Sequence, residues 1–337
     1  VRDAVDRVKL FNVEGDDSIG SQDIFGGNPT GILNLDNVKY SWCKGFYKVM
    51  LGNFWVPEKI SLVDDKVTRE SLTEKEDLAV QNTLSFLIFL DSMQVNNLPN
   101  IGDYVTNSAV KNLIGIQTFQ EIIHSQSYQY LLESLYPKKT RESIYEQWRL
   151  NPLLRKRNEF IAETMQEFAD APSKEGLKRV LIANLALEGI YFYCGFNLFD
   201  QLSARQKLVQ TQKMIDYIRV DEASHCALFS KIIQETFDTS KEEVWIKDFI
   251  QKVSEQEIEW SNSVYGNEIL GINEKSTEQF VKYLANKRLR GIGLEGIYEG
   301  VSNPYSHLEI EGRSNFFESS QNTSYSRSEA VEGWDDF

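Results

Sequence analysis

From Tyr40 onward, apolar residues return every three or four positions over long windows, with polar residues filling the faces between them. That period marks amphipathic helices, and no run alternates with the period of two expected of a half-buried strand. The periodicity predicts long helices near residues 75–97, 107–134, 152–170, 174–204, 208–237, 241–264 and 276–290. Pro57, Pro99, Pro137 and Pro172, with polar turns such as NNLPN and DAPSKEG, predict the breaks between them. Helices of this length on short loops describe an all-α bundle over residues 41–300. Residues 1–40 carry Gly15, Gly20, Gly26, Gly27 and Gly31 without a sustained period, and read as an irregular arm. Residues 301–337 are rich in Ser, Asn and Glu, lack the material for a core, and read as a flexible tail. Its last residues, Trp334-Asp335-Asp336-Phe337, form an acidic aromatic terminus suited to docking in a partner's groove.

Composition narrows the function. An apolar fraction of 41% supplies a substantial core, and a net charge of −14 excludes general nucleic-acid binding, which needs a basic face. Cys43, Cys194 and Cys226 show no paired spacing, which points to a reducing, cytoplasmic setting. The first residues, VRDAVDRVKLFNVEG, have no apolar core of the kind a signal peptide requires. The stretch from Leu181 to Phe199 reaches membrane length, but Glu188 interrupts it near mid-span, so the expectation is a buried core helix and no membrane.

Two of the three histidines share one local pattern: Glu121-Ile122-Ile123-His124 and Glu222-Ala223-Ser224-His225. At ~100° per residue, a Glu and a His three positions apart lie ~60° apart on one helical face, so a single turn can offer both to one metal. One such pair is weak evidence; two on separate long apolar helices match the two-metal bundle, which adds one acid from each of two further helices. A buried acid without a partner is costly, and two acids stand in almost wholly apolar runs: Asp91 in LSFLIFLDSMQ and Glu188 in LIANLALEGIYFY. Four carboxylates and two imidazoles suit iron or manganese better than a closed four-ligand zinc site.

These blocks resemble the small subunit of aerobic class I ribonucleotide reductase, with the likeness running from about Tyr40 to Phe237. The resemblance implies a ferritin-like bundle whose metal ligands are Asp91, Glu121, His124, Glu188, Glu222 and His225. In FQEIIHSQSY, Tyr128 follows His124 by one helical turn and matches the tyrosine that carries the stable radical. LEGIYFYCGF resembles the family's motif around its bridging glutamate, here Glu188, and Phe192, Phe196 and Ile218 match the apolar pocket around the radical. In VDEASH, Asp221 matches the carboxylate that orients a ligating imidazole, and in NFWVPEKI, Trp55 matches the electron-relay tryptophan. Tyr325 matches the tail tyrosine that passes the radical between subunits, with Tyr305 as the alternative.

The implied cofactor is two iron ions per chain, or a di-manganese or mixed pair, with an oxygen-derived bridging ligand. The implied partners are a large subunit docked on the C-terminal tail, a second copy of this chain, and an activating flavoprotein if manganese is used. A di-metal oxygenase or oxidase on the same bundle would need a substrate cavity beside the metals. A ferritin-like iron-binding protein would need neither Trp55 nor a long tail.

Overall fold

The computed structural model describes residues 3–308. Among them there is no β-strand, only two isolated bridges that tie Ala4 to Ser173 and Phe25 to Val105. The chain forms α1 (Trp42–Gly52), α2 (Val63–Arg69), α3 (Glu74–Gly102), α4 (Ser108–Leu135), α5 (Lys138–Leu150) and α6 (Pro152–Asp170). It continues with α7 (Lys174–Ala186), a π turn (Leu187–Tyr191), α8 (Phe192–Ser203), α9 (Val209–Thr236), α10 (Glu243–Tyr265) and α11 (Glu274–Gly291).

Five of the helices, α3, α4, α6, α7 and α11, start where the sequence supplies a side-chain cap. Thr73 and Glu76 form a capping box at α3: the Thr73 hydroxyl accepts from the Glu76 N–H (3.1 Å), and the Glu76 carboxylate accepts from the Thr73 N–H (2.9 Å). Asn107, Asn151, Ser173 and Asn273 cap α4, α6, α7 and α11. Helix α9 differs, because Leu208 at its start is left-handed (φ 52°) and has no capping group. Asp65 of α2 does that work instead, accepting from the Gln210 N–H at 3.0 Å and the Thr211 hydroxyl at 2.6 Å.

Helices α3, α4, α9 and the α7–α8 rod pack on one another as the inner layer, with α5, α6, α10 and α11 outside it. The rod has the length and composition to cross a membrane, yet 94% of its apolar window is buried in this fold, so it is the core helix the sequence led us to expect. It is not a plain α-helix. At the π turn the Phe192 N–H reaches back to the Leu187 carbonyl, and Arg288 of α11 donates to the Gly189 carbonyl at 2.9 Å. A Cβ on residue 189 would lie 2.3 Å from the Arg288 Nε, so only glycine admits that approach. A buried ion pair, Arg157 with Glu257, joins α6 to α10, and its guanidinium lies 3.9 Å over the Tyr191 ring.

Three helices escape the periodicity. Helix α1 is short and interrupted by Gly45, α2 has only seven residues, and α5 buries Ile144 alone, so none offers the long periodic window that marks the other helices. Pro99 does not break α3, which runs on to Gly102; the proline falls in the last turn, which buried Leu98 and Ile101 hold in place. The arm is irregular but anchored, with the Val8 N–H on the Asp103 carbonyl (2.8 Å) and the Thr106 N–H on the Ile24 carbonyl (2.7 Å). The start of the expected tail is also fixed. Tyr305 is buried edge-on against Phe280, and its hydroxyl donates to Ser276 at 2.9 Å. Tyr325 and Trp334-Asp335-Asp336-Phe337 lie outside the described residues.

Candidate metal centre

The inner layer delivers one ligand set from each of its members: Asp91 from α3, Glu121 and His124 from α4, Glu188 from the π turn, and Glu222 and His225 from α9. All six side chains are fully buried. Their ligating atoms form two overlapping groups, Asp91–Glu121–His124–Glu222 and Glu121–Glu188–Glu222–His225, each with all atoms within 4.8 Å of one another.

The geometry assigns a position to each acid. His124 Nδ1 faces Asp91 Oδ1 (3.3 Å), Glu121 Oε2 (3.2 Å) and Glu222 Oε1 (3.3 Å). His225 Nδ1 faces Glu121 Oε1 (3.2 Å), Glu222 Oε2 (3.2 Å) and Glu188 Oε2 (3.5 Å). Glu121 and Glu222 therefore each place one oxygen near each imidazole, whereas the oxygen of Glu188 in this set lies near His225 alone. LEGIYFYCGF places an acid on the right face, but sequence spacing cannot show which half it reaches.

The electrostatics ask for cations. Burial pushes the Asp91 carboxyl well above the usual range, and burial with the nearby charges of Glu121 and Glu222 does the same to Glu188. Burial opposes charge on both imidazoles, but the acids outweigh it: Asp221, Asp91 and Glu121 raise His124, and Glu121 and Glu222 raise His225. Burial raises Glu121 and Glu222 too, yet the facing imidazoles leave Glu121 net lowered, and a hydrogen bond with Glu188 together with the imidazoles does the same for Glu222. Four carboxylates buried around two imidazoles concentrate negative charge that two divalent ions would offset. Asp91 Oδ2, Glu188 Oε2 and Glu222 Oε1 have no hydrogen-bond partner, which suits ligand atoms of this kind. The residues fit a two-metal centre.

Trp55, Asp221 and Tyr128 stand against this cluster. Trp55 Nε1 donates to Asp221 Oδ2 (2.9 Å), and the same oxygen accepts from His124 Nε2 (3.0 Å). Tyr128 is fully buried on α4, and its hydroxyl has no partner. Burial raises its pKa well above the usual value, and the charges of Asp91 and Glu222 add to that. Phe192, Phe196 and Ile218 are buried in the same core, with the two phenyl rings stacked at 6.0 Å.

Sequence reading missed four polar or aromatic residues here. Gln117 donates to Glu188 Oε1 (2.7 Å), Gln94 hydrogen-bonds to the same oxygen, Gln120 touches both Asp221 and His225, and Tyr217 stacks on Trp55 at 5.3 Å. Their signal was available: Gln94 lies three residues after Asp91, Gln117 four before Glu121, and Tyr217 four before Asp221, all on ligand faces.

A bundle whose facing helices supply paired Glu-x-x-His turns and two further acids defines a ferritin-like two-metal carboxylate protein. Over residues 32–304 the sequence matches the family described as "Ribonucleotide reductase, small chain", and the chain belongs to that family. It is 38% identical to the ribonucleoside-diphosphate reductase subunit beta of Treponema pallidum over 343 residues, covering 96% of each chain. The corresponding subunit of Halalkalibacterium halodurans is 34% identical over 331 residues, covering 95% of this chain and 96% of that one. The structure is similar to the ribonucleotide reductase R2 subunit from Clostridium botulinum, with a TM-score of 0.86, 39% identity, and coverage of 90% of this chain and 98% of that one. The protein is thus the radical-generating small chain of an oxidoreductase that reduces ribonucleotides, and it works together with a large chain.

Proposed function

We propose that Asp91, Glu121, His124, Glu188, Glu222 and His225 hold two iron ions, or a di-manganese or mixed pair, and that Tyr128 carries the radical. The observation behind this is the placement of an unpartnered, fully buried phenol one turn beyond His124. When bound, the metal pair with oxygen supplies the oxidising equivalent. Burial and the charges of Asp91 and Glu222 oppose ionisation of Tyr128, so it gives up proton and electron together, and Asp91, held as a carboxylate when a metal is bound, would take the proton. Phe192, Phe196 and Ile218 keep the oxidised ring dry. Trp55, Asp221 and His124 form a continuous hydrogen-bonded route for the extra electron.

The radical equivalent passes by way of Tyr325 to a large subunit docked on the C-terminal residues, which reduces ribonucleoside diphosphates. The chain works as a homodimer in the cytoplasm, and a flavoprotein activates it if manganese is loaded. The rival oxygenase reading needs a substrate cavity at the metals. A cavity of about 740 Å³ lies instead between the arm and α7 and α9, lined by Arg7, Phe25, Lys178 and Phe237. The cavity beside Trp55, Gln120 and Asp221 is about 40 Å³, too small for an acyl chain.

The test is electron paramagnetic resonance on metal-free protein reloaded anaerobically with ferrous iron and exposed to oxygen, beside a manganese sample. A tyrosyl signal is expected in the wild type and none in Tyr128→Phe, with two ions bound in each. A tyrosyl signal surviving in Tyr128→Phe would overturn the assignment.

A further inference from the structure

Gln120 stands inside the FQEIIHSQSY block with no role assigned to it, and it is buried between α1, α4 and α9. Its amide Nε2 donates to Asp221 Oδ1 (3.1 Å) and to the Met50 carbonyl (3.3 Å). Neither acceptor can donate, so both amide hydrogens are committed and the orientation of the group is set. Oε1 then lies 2.9 Å from His225 Nε2 and can only accept. His225 must therefore carry its proton on Nε2, which leaves Nδ1 for the metal face with Glu121, Glu188 and Glu222. Turning the amide over would set oxygen against the Asp221 carboxylate and the Met50 carbonyl, and N–H against N–H at His225.

Asp221 does the same directly for the other half, accepting from His124 Nε2 through its second oxygen. One carboxylate thus fixes both imidazoles, His124 at first hand and His225 through Gln120. We propose that Gln120 is a positioning residue for the second metal ion: it locks the tautomer and ring orientation of His225 and ties that half of the centre to Asp221. This rests on the two-ion reading above. Partners of this kind behind a ligating imidazole are typically worth 10–100-fold in metal affinity. A glutamine that merely filled space would be replaceable by a residue of the same shape.

The experiment is an anaerobic titration of the full-length metal-free chain with Mn(II), followed by calorimetry and electron paramagnetic resonance. Wild type is expected to take up two ions as a spin-coupled pair. Gln120→Met keeps the shape and removes all three hydrogen bonds. It is expected to bind the first ion with wild-type affinity and the second about 10–100-fold more weakly, so that a mononuclear Mn(II) signal persists at one equivalent. Gln120→Glu, sharing a proton with Asp221, keeps the acceptor facing His225 and should recover the second site. Equal weakening of both ions, unchanged binding in Gln120→Met, or a Gln120→Glu variant no better than Gln120→Met would each overturn the proposal. If Gln120→Met does not fold, Raman marker bands of the metal-bound imidazoles in wild type decide: Nδ1 ligation at His225 is required, and Nε2 ligation overturns it. Wild-type protein that takes up no pair of ions would instead remove the two-metal reading itself.

Discussion

Two kinds of buried acid occur in this protein, and only one is visible in the sequence. Asp91 and Glu188 stand alone in apolar runs, so the cost of burying them asks for an explanation from the residue pattern alone. Glu257 sits in SEQEIEW among other acids and looks like surface, yet it is fully buried against Arg157. Burial raises its pKa, and Arg157 only partly offsets that. Removing one partner strands the other, so Glu257→Ala should cost about 3–5 kcal/mol in urea unfolding. Replacing the pair with Arg157→Met and Glu257→Leu together should cost far less. A single variant near wild-type stability would show that water or another group replaces the lost partner. The candidate metal ligands differ, because cations would supply their compensation, and each is picked out in the sequence by Glu-x-x-His spacing or by isolation. The hydrogen-bonding glutamines were legible only in position: Gln94 and Gln117 fall on ligand faces, but a glutamine on a helix shows no role until its neighbours across the interface are known.

Helices were legible where burial is one-sided and long. Those of 152–170 and 174–204 were bounded to within a residue, because Pro152 and Ser173 announce their starts. The π turn within the second was not, since Leu187–Tyr191 is as apolar as its flanks and the shift becomes necessary only when Arg288 reaches Gly189. The start of α3 shows how far a cap can reach. Glu76 closes the capping box and also receives Arg205 and Lys207, each at 2.7 Å, from the α8–α9 loop. Burial alone would raise its pKa, but Lys207, the Thr73 N–H and Arg205 leave it below the usual 4.5. With the folded value depressed, its contribution is full above the unfolded value and fades as pH falls through the folded one. Glu76→Gln should therefore lower stability by about 1–2 kcal/mol at pH 6–8, a figure kept small because both cations are partly exposed. Melting curves across pH should show the gap constant down to about 4.5 and closing only below it. A gap that widened on acidification would refute this account of the cap.

On the proposed reading, the bundle as a whole separates the work of making an oxidant from the work of delivering it. Every ligand, together with Tyr128, lies in the closed inner layer, while the chain beyond Tyr305 starts from α11, where Tyr305 is pinned by Phe280 and Ser276. From Leu308 the remaining residues could span on the order of 100 Å if fully extended, enough to reach well across a partner. Deleting residues 326–337 should accordingly leave the tyrosyl signal at Tyr128 unchanged while weakening binding to the large subunit at least ~10-fold, or about 1.4 kcal/mol. Tyr325→Phe, which keeps the terminal residues, should bind normally and lose turnover. Calorimetry against the large subunit, with turnover and electron paramagnetic resonance on the same samples, separates the two roles. Unchanged affinity in the truncated chain would move docking onto the folded body, and full turnover in Tyr325→Phe would remove that tyrosine from the route. Composition pointed to a tail, but its fixed start at Tyr305 was not legible, because a tyrosine among polar residues shows its burial only once α11 is there to receive it.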